Sequence, residues 1–350
     1  MWPASHGECV VKLLLLTCAA SLVSCASGGN PAPDAQEVVR LPFVAGLDLF
    51  VPIPEDNPLT APKIALGEKL FFDPMLSRDR SVSCSSCHLP EHGFSDTTAL
   101  SRGADGRIGV RNAPALVNRA YGRAFFWDGR AASLEEQVLH PIRDSLEMDL
   151  SHAQLARRLR ADISYRALFR EAFRRDPDST GVARALASYI RTLRSGESPY
   201  DLAIQGDSAA MTADARRGLA LFTGKGRCTA CHIPPNFTDE LFHNTGVTAR
   251  SAARTGTTLR DPGRGAVTGV ADHTGAFKTP TLRDVARTGP YMHDGSFATM
   301  KEVVGFYSGG GEPNPHLSAD IRPLHLTPDE RADIVQFLES LTGRQFRRRR

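Results

Sequence analysis

The sequence has little net charge and no long apolar run. Its 350 residues carry a formal net charge of +3 at pH 7. A balance so close to neutral does not predict a nucleic-acid partner, and the four arginines at 347–350 are interpreted as a solvated tail. The apolar run LLLLTCAASLV at 13–23 is too short to cross a membrane as a helix. With 41% hydrophobic and 23% charged residues, the composition is that of a globular protein.

Cysteine is scarce outside the first 25 residues, which excludes a disulfide framework. The chain has seven cysteines, and three of them fall in this first stretch. The other four are Cys84, Cys87, Cys228 and Cys231. They form two short pairs, so none is left for cross-linking, although the start of the sequence predicts export to an oxidising compartment.

The first 25 residues are typical of a secretory signal. Lys12 precedes the apolar run, which ends in Leu-Val-Ser-Cys at 22–25. This ending resembles a bacterial lipobox, in which cleavage before the cysteine leaves Cys25 as a lipid-modified N-terminus. A soluble secreted protein cut nearby is the alternative. Residues 26–45 are predicted to be a flexible tether, and we expect a periplasmic lipoprotein whose membrane contact is limited to Cys25.

Both cysteine pairs belong to the pattern Cys-x-x-Cys-His. This pentapeptide is the attachment signal for c-type haem, in which two thiols bond to the vinyl groups and the histidine becomes an iron ligand. A redox dithiol does not need the following histidine twice, and a zinc site would need ligands from two pairs far apart in the chain. Two complete copies therefore predict two covalently bound haems, held by Cys84, Cys87, His88, Cys228, Cys231 and His232.

The apolar periodicity predicts a mainly α-helical fold. Residues 151–173 have a helical pattern that begins with a Ser151 cap, and residues 212–222 predict a helix that leads into the second haem motif. No sustained alternation of apolar and polar residues predicts strands. We therefore expect two cytochrome c-like domains, at 46–205 and 206–345, each built around one haem.

A further helix is predicted near the C-terminal end of the sequence. Thr327 is its expected cap, Pro328 its first residue, and Glu330 completes a capping box with Thr327. Gly343 is its expected stop.

The two halves of the chain form an internal repeat. The stretch WDGRAASLEEQV, which begins at Trp127, pairs with HDGSFATMKEVV, which begins at His293, at an offset of 166 residues. The same offset pairs Pro141 with Tyr307. If this position faces iron on the distal side, the halves differ, because proline offers no lone pair and tyrosine phenolate is a known haem ligand. One haem would then be open to a small substrate and the other closed.

These pieces together resemble the bacterial di-haem cytochrome c peroxidase family, in particular its MauG-like subgroup. The resemblance runs from about Leu66 to Leu341 and includes LGEKLFFDPMLSRDRSVSCSSCH, RNAPALVN, WDGRAASLEEQ, CTACH, KTPTLRDV and TGPYMHDGSFATMKEVVGFY. It implies a peroxidase that reduces hydrogen peroxide with electrons passed from an external donor through the second haem. That donor would be a small cytochrome c or a cupredoxin of the periplasm.

The resemblance also implies roles for individual residues. His88 would be the proximal ligand of the peroxidatic haem, and His232 that of the second haem. Trp127 would lie between the haems as an electron relay. Gln137 and Glu147 would line the distal pocket, and the spacing of ten residues between Trp127, Gln137 and Glu147 is that of the family.

A calcium ion between the two domains is a further implication of the resemblance. Its ligands would be the side chain of Asn112 and the backbone carbonyls of Thr288 and Pro290. Hard oxygen ligands of this kind suit calcium.

The subgroup depends on two positions where ordinary members carry iron ligands. They place a methionine fourteen residues after the histidine of the HDG motif, and this chain has Tyr307 there, as MauG-like members do. Met292 and Met300 are rival ligands outside the family position. Ordinary members also carry a distal histidine sixteen residues after the proximal one, where this chain has Ala104. The resemblance therefore implies a first haem that is open without prior reduction.

One position departs from the MauG-like pattern. Those members draw electrons from a protein substrate through a surface tryptophan just before the second haem motif, and this chain has Gly226 there.

Three functions stay open: a peroxidase, a MauG-like oxidase that uses a high-valent di-haem state to modify a partner protein, and a non-enzymatic electron carrier. Gln137 and Glu147 disfavour the carrier. Tyr307 and Ala104 favour the oxidase. Gly226 argues against the best-known form of the oxidase reaction, in which a surface tryptophan draws electrons from the protein substrate.

Overall fold

The chain folds into short helices joined by long turns. The computed structural model describes residues 37–255 and 261–344. In these ranges one antiparallel pair of two-residue strands, β1 (Phe242–His243) and β2 (Phe277–Lys278), accompanies twelve α-helices. The helices are α1 (Ala61–Phe72), α2 (Leu134–Gln137), α3 (Leu139–Arg143), α4 (His152–Ala161), α5 (Ile163–Phe173), α6 (Ser179–Thr192), α7 (Pro199–Ile204), α8 (Ala213–Thr223), α9 (Val247–Thr255), α10 (Arg264–Thr268), α11 (Met300–Ser308) and α12 (Pro328–Glu339). The prediction of a mainly α-helical fold is confirmed.

The start of the described chain packs against the residues that follow it. The backbone N–H of Val39 donates to the carbonyl oxygen of Leu59 at 2.8 Å. Residues 37–45, part of the predicted tether, are therefore attached to the fold. The predicted leader with Cys25 and the arginines at 347–350 lie outside the described residues. Among the helices of the described part, none has the length and apolar character needed to cross a lipid bilayer.

Helices α1 and α6 cross at close range and form the first core. At the crossing, a Cβ added to Gly67 would lie 2.0 Å from the carbonyl oxygen of Ala185, so only glycine permits this approach. Leu66, Leu70 and Phe71 of α1 are buried around the crossing. Burial of each such side chain contributes about 1.5–3 kcal/mol. This core positions α1 just ahead of the first haem motif.

Helices α8 and α12 repeat this arrangement in the second half. A Cβ added to Gly218 of α8 would lie 1.9 Å from the carbonyl oxygen of Asp333 in α12. The rings of Phe222 and Phe337 pack beside the crossing with centroids 4.9 Å apart. Tyr200 of α7 also packs on this core, so the chain enters the second core before residue 206. Each haem motif thus follows a helix that is held by a glycine crossing.

The predicted helix over 151–173 is in fact two helices. The Ser151 hydroxyl accepts from the backbone N–H of Gln154 at 3.3 Å, which confirms the predicted cap of α4. Asp162 then starts α5, because its carboxylate accepts from the backbone N–H groups of Ser164 and Tyr165 at 2.8 and 3.1 Å. The helical pattern therefore divides at Asp162, because a capping carboxylate offers the backbone a competing set of hydrogen bonds.

Helix α12 begins as predicted and ends earlier. Thr327 accepts from the backbone N–H of Glu330 at 3.2 Å, and the Glu330 carboxylate accepts from the backbone N–H of Thr327 at 2.8 Å. Pro328 is the first helical residue. The helix ends at Glu339 rather than running to Gly343. The backbone N–H of Gly343 instead donates to a buried carboxylate, that of Asp284, at 3.1 Å.

Candidate active site

Both haem motifs line one large cavity. Its volume is about 1030 Å³, and its wall includes Cys84, Cys87, His88, Cys228, Cys231 and His232. All four thiols are free. Burial raises the pKa of Cys84 and Cys228 to about 12 and that of Cys87 and Cys231 to about 11. The thiols are therefore un-ionised at neutral pH.

The two histidines have the same local geometry. Each histidine follows a single 3-10 turn. The backbone N–H of each histidine donates to the carbonyl oxygen of the first cysteine of its motif at 2.9 Å. His88 Nδ1 donates to the carbonyl oxygen of Phe94 at 2.9 Å, and His232 Nδ1 to that of Phe237 at 2.8 Å. A carbonyl only accepts, so both rings carry a proton on Nδ1.

Burial also affects the protonation of the His88 and His232 rings. It lowers the pKa of both His88 and His232, which keeps each imidazole neutral. A neutral ring that is oriented by a hydrogen bond at Nδ1 suits a metal bound at Nε2. Together with two un-ionised thiols beside each ring, the residues present fit a covalently held haem in each half.

Glu147 and Gln137 face the cavity on the side of the first haem motif, together with Pro141. Burial, aided by the negative charge of Asp144, raises the pKa of Glu147 to about 7. A carboxyl group with a pKa near neutrality can both accept and donate a proton under physiological conditions. Gln137 and Glu147 therefore line the cavity that also contains both haem motifs, and their place in a distal pocket stays a prediction.

Ala104, which stands where the resemblance implies a distal histidine in ordinary family members, contacts the backbone of Glu147. It is fully buried, and its backbone N–H donates to the carbonyl oxygen of Glu147 at 2.7 Å. The preceding Gly103 approaches so closely that an added Cβ would lie 2.4 Å from the same carbonyl oxygen. The methyl side chain of Ala104 offers no lone pair to a metal.

Trp127 is held by backbone from both halves of the chain. Its indole Nε1 donates to the carbonyl oxygen of Asn112 at 2.8 Å, and its own carbonyl oxygen accepts from the backbone N–H of Lys278 at 2.7 Å. The backbone N–H of Asn112 in turn donates to the carbonyl oxygen of His293 at 2.8 Å. The internal repeat pairs Trp127 with His293. Both residues are therefore hydrogen-bonded to the backbone of Asn112, Trp127 to its carbonyl oxygen and His293 to its N–H.

Tyr307 faces the same cavity from helix α11. Burial raises its pKa to about 12, and the Thr245 side chain partly offsets this effect. Met292 and Met300 also line the cavity. Met300 packs against the second core as well, which fits its predicted role as a core residue. Ligation of iron by Tyr307 stays a prediction.

Asn112, Thr288 and Pro290, the predicted calcium ligands, line this cavity too. The Asn112 amide nitrogen donates to the carbonyl oxygens of Thr98 and Ala99 at 3.1 and 3.2 Å. The amide oxygen of Asn112 therefore points away from the carbonyl oxygens of Thr98 and Ala99. Calcium binding stays a prediction.

Sequence reasoning missed the buried ion pairs that join the two halves beside the cavity. Arg111 binds Asp261 through two hydrogen bonds of 2.7 and 2.8 Å, and it donates to Asp128 at 2.6 Å. Arg119 binds Glu240 in the same two-pronged way, at 2.9 and 3.2 Å. The only available signal was that Arg111 and Asp128 stand next to the repeat motifs. Asp261 and Glu240 each lie more than a hundred residues from the arginine that they bind, and no periodic pattern connects the partners.

The fold and the cavity define a helical protein that carries two c-type haems. A family model described as di-haem cytochrome c peroxidase matches residues 61–209. The chain is 43% identical over 327 residues to the methylamine utilization protein MauG of Methylorubrum extorquens, covering 92% of this chain and 90% of the relative. It is 41% identical over 317 residues to the cytochrome-c peroxidase IdrP1 of Denitromonas iodatirespirans, covering 83% and 84%.

A solved structure supports the same assignment. The crystal structure of a MauG-like protein associated with microbial copper homeostasis superposes with a TM-score of 0.78 at 33% identity, covering 86% of this chain and 95% of that one. The chain belongs to the di-haem cytochrome c peroxidase family. It is an oxidoreductase of the cytochrome-c peroxidase type, and the family's two c-type haems are its cofactors.

Proposed function

We propose that this protein reduces hydrogen peroxide at the haem bound by His88, with electrons that enter through the haem bound by His232. The observation that carries the proposal is a carboxyl group with a pKa of about 7, Glu147, in the wall of the cavity that holds His88. A pure electron carrier has no use for such a group. The overall reaction consumes one peroxide, two electrons and two protons and yields two waters.

The residues of the distal side would manage the protons. When bound, the haem iron supplies the redox centre at which the oxygen–oxygen bond breaks. Glu147 in its ionised form accepts the proton from the peroxide oxygen nearer the iron and returns it to the farther oxygen, which leaves as water. General acid–base transfer of this kind contributes about 10²–10⁴-fold. Gln137 orients the peroxide by hydrogen bonding from the same cavity wall.

Trp127 would carry electrons between the two haems. Two observations support this role: both motifs open into the one cavity that Trp127 also lines, and its indole is fixed by a 2.8 Å hydrogen bond to the backbone. An immobile aromatic ring needs little rearrangement when it gains or loses an electron. Asn112, which accepts that hydrogen bond, is also the predicted calcium ligand, so calcium bound by Asn112, Thr288 and Pro290 would stiffen the relay.

A MauG-like oxidase that modifies a partner protein is the second candidate. It is supported by Tyr307 in the cavity wall and by Ala104, whose methyl group offers no lone pair to an iron. An anionic phenolate stabilises oxidised iron better than a thioether does. Gly226 argues against the known form of that reaction, because glycine cannot carry an electron as the surface tryptophan does.

The remaining partners follow from this function. The electron donor would be a small cytochrome c or a cupredoxin, and the site of action the periplasm. Cys25 would anchor the mature protein to the membrane as a lipoprotein.

Steady-state turnover of the fully oxidised holoprotein tests the proposal. Peroxide is added with a reduced small c-type cytochrome or a reduced cupredoxin, and donor oxidation is followed optically. We expect immediate turnover with two donor electrons consumed per peroxide. Turnover only after partial reduction would contradict an open first haem. Peroxide consumption that oxidises neither donor but alters an added candidate protein would favour the oxidase.

A further inference from the structure

Two loops that contribute to the wall of the cavity pack against each other. The first is a hairpin at 101–109, closed by hydrogen bonds from Gly103 N–H to the carbonyl oxygen of Arg107 at 2.8 Å and from Gly109 N–H to that of Ser101 at 3.0 Å. The second is the turn at 144–149, which carries Glu147. The position of Glu147 therefore depends on what holds this turn to its neighbours.

Four charged side chains fasten the two loops to the segment ahead of the first haem motif. Arg78 and Arg107 both donate to the same oxygen of Asp149, at 3.0 and 2.9 Å. Both arginines also donate to the same oxygen of Asp105, Arg107 at 3.1 Å. Each aspartate thus receives both arginines, which closes a ring of four. We call Arg78, Asp105, Arg107 and Asp149 the distal clamp.

The clamp also holds the backbone on both sides of Glu147. Arg107 Nη1 donates to the carbonyl oxygen of Ser145 at 2.5 Å, and the backbone N–H of Arg78 donates to that of Met148 at 2.8 Å. The carboxyl group of Glu147 itself has no hydrogen-bond partner among the described residues. Its position is therefore set by its backbone rather than by a partner at its tip.

We propose that the distal clamp is a positioning element for the peroxidase reaction, which fixes Glu147 over the first haem site. The inference rests on the acid–base role of Glu147 proposed above. The four side chains are 26–46% exposed, so solvent screens these ion pairs and they add little to stability. Placement is a more demanding requirement, because a displacement of about 1 Å can cost about 10²-fold in rate.

The acidic members of the clamp allow a conservative test. Asp149 has a left-handed backbone, with φ of 52°, and asparagine is among the few residues that accept this conformation readily. Asp149→Asn therefore keeps size and backbone and removes only the charge that both arginines share. The charges that shift the pKa of Glu147 are those of Asp144 and Arg130, so the loss of the Asp149 charge has little direct effect on that pKa.

The test compares kcat/KM for peroxide in four holoproteins: wild type, Asp149→Asn, Glu147→Gln and the double variant. We expect Asp149→Asn to lose about tenfold or more, and the double variant to match Glu147→Gln within about twofold, because groups that act through one another are not additive. Arg217→Gln is the matched control. Arg217 also bridges two aspartates on the surface, Asp214 and Asp333, and its loss should leave kcat/KM unchanged.

Amide hydrogen exchange gives a readout that does not depend on turnover. Asp149→Asn should speed exchange of the Ala104 and Arg78 amides, which donate to the turn that carries Glu147, and leave α8 and α12 unchanged. Full activity of Glu147→Gln would refute the role of Glu147 itself. A loss in Glu147→Gln with full activity and unchanged exchange in Asp149→Asn would refute the clamp alone. Additive losses in the double variant would also overturn it.

Discussion

Replacing Glu147 by glutamine should remove activity and add stability. Glutamine keeps the size of the side chain but cannot exchange a proton, so kcat/KM for peroxide should fall by about 10²–10⁴-fold. In the wild type, peroxide must meet the ionised carboxylate. Because burial raises the pKa of Glu147 to about 7, we expect kcat/KM to rise with pH through a midpoint near 7. In Glu147→Gln this midpoint should disappear.

The same raised pKa sets the expected gain in stability. The ordinary value for this group is 4.5, and burial raises it to about 7 in the folded chain. Each pKa unit corresponds to about 1.4 kcal/mol, so keeping the ionised carboxylate in the fold costs about 3 kcal/mol. The folded state binds the proton more tightly. The cost is therefore absent below pH 4.5, grows between pH 4.5 and 7, and is complete above pH 7.

Denaturant unfolding of the two holoproteins at pH 4 and pH 8 measures this difference. Glu147→Gln and the wild type should have equal free energies of unfolding at pH 4, and the variant should be more stable by about 3 kcal/mol at pH 8. A variant that is equally stable at both pH values, or less stable at pH 8, would refute the claim that Glu147 is a desolvated carboxylate. Unchanged kcat/KM would refute its catalytic role.

Three further predictions follow from named contacts. Trp127→Phe keeps an aromatic ring but loses the hydrogen bond to Asn112. Stopped-flow spectra should therefore show that electron transfer between the haems is slower by about tenfold or more. An unchanged rate would exclude Trp127 as the relay. Tyr307→Met should convert the second haem to a methionine-type optical spectrum, whereas an unchanged spectrum would exclude Tyr307 as a ligand. Arg283→Met leaves the Asp201 carboxylate buried without its 2.6 Å partner, so thermal unfolding should show a loss of about 3–5 kcal/mol, and a loss under about 1 kcal/mol would contradict that burial.

The residues that attach the two haems were predictable because each set lies in a short continuous motif. Cys-x-x-Cys-His needs both thiols and the histidine on one turn, and local sequence is enough to define that turn. The offset between the repeats likewise pairs Trp127 with His293 and Pro141 with Tyr307, and all four residues line the cavity. Helix caps such as Thr327 were predictable for the same reason, because a cap and its partner are three residues apart.

The supports of the site were not predictable, because they join residues far apart in the chain. The distal clamp links Arg78 to Asp149 across 71 positions, and Arg111 reaches Asp261 across 150. Neither pair has a periodic pattern or a fixed spacing. The glycine crossing at Gly67 also depends on a helix more than a hundred residues later. A single sequence shows that a small or charged residue stands at a position, but it does not show which distant residue requires it there.

The resting spectrum of the oxidised holoprotein tests the central claim most directly. Electron paramagnetic and optical spectra are recorded before and after one equivalent of peroxide, with no prior reduction. The account predicts one high-spin haem, open because Ala104 replaces a ligand, one low-spin haem with a tyrosinate-type spectrum, and an immediate response to peroxide. Two low-spin haems of methionine or bis-histidine type, with a response only after partial reduction, would contradict it.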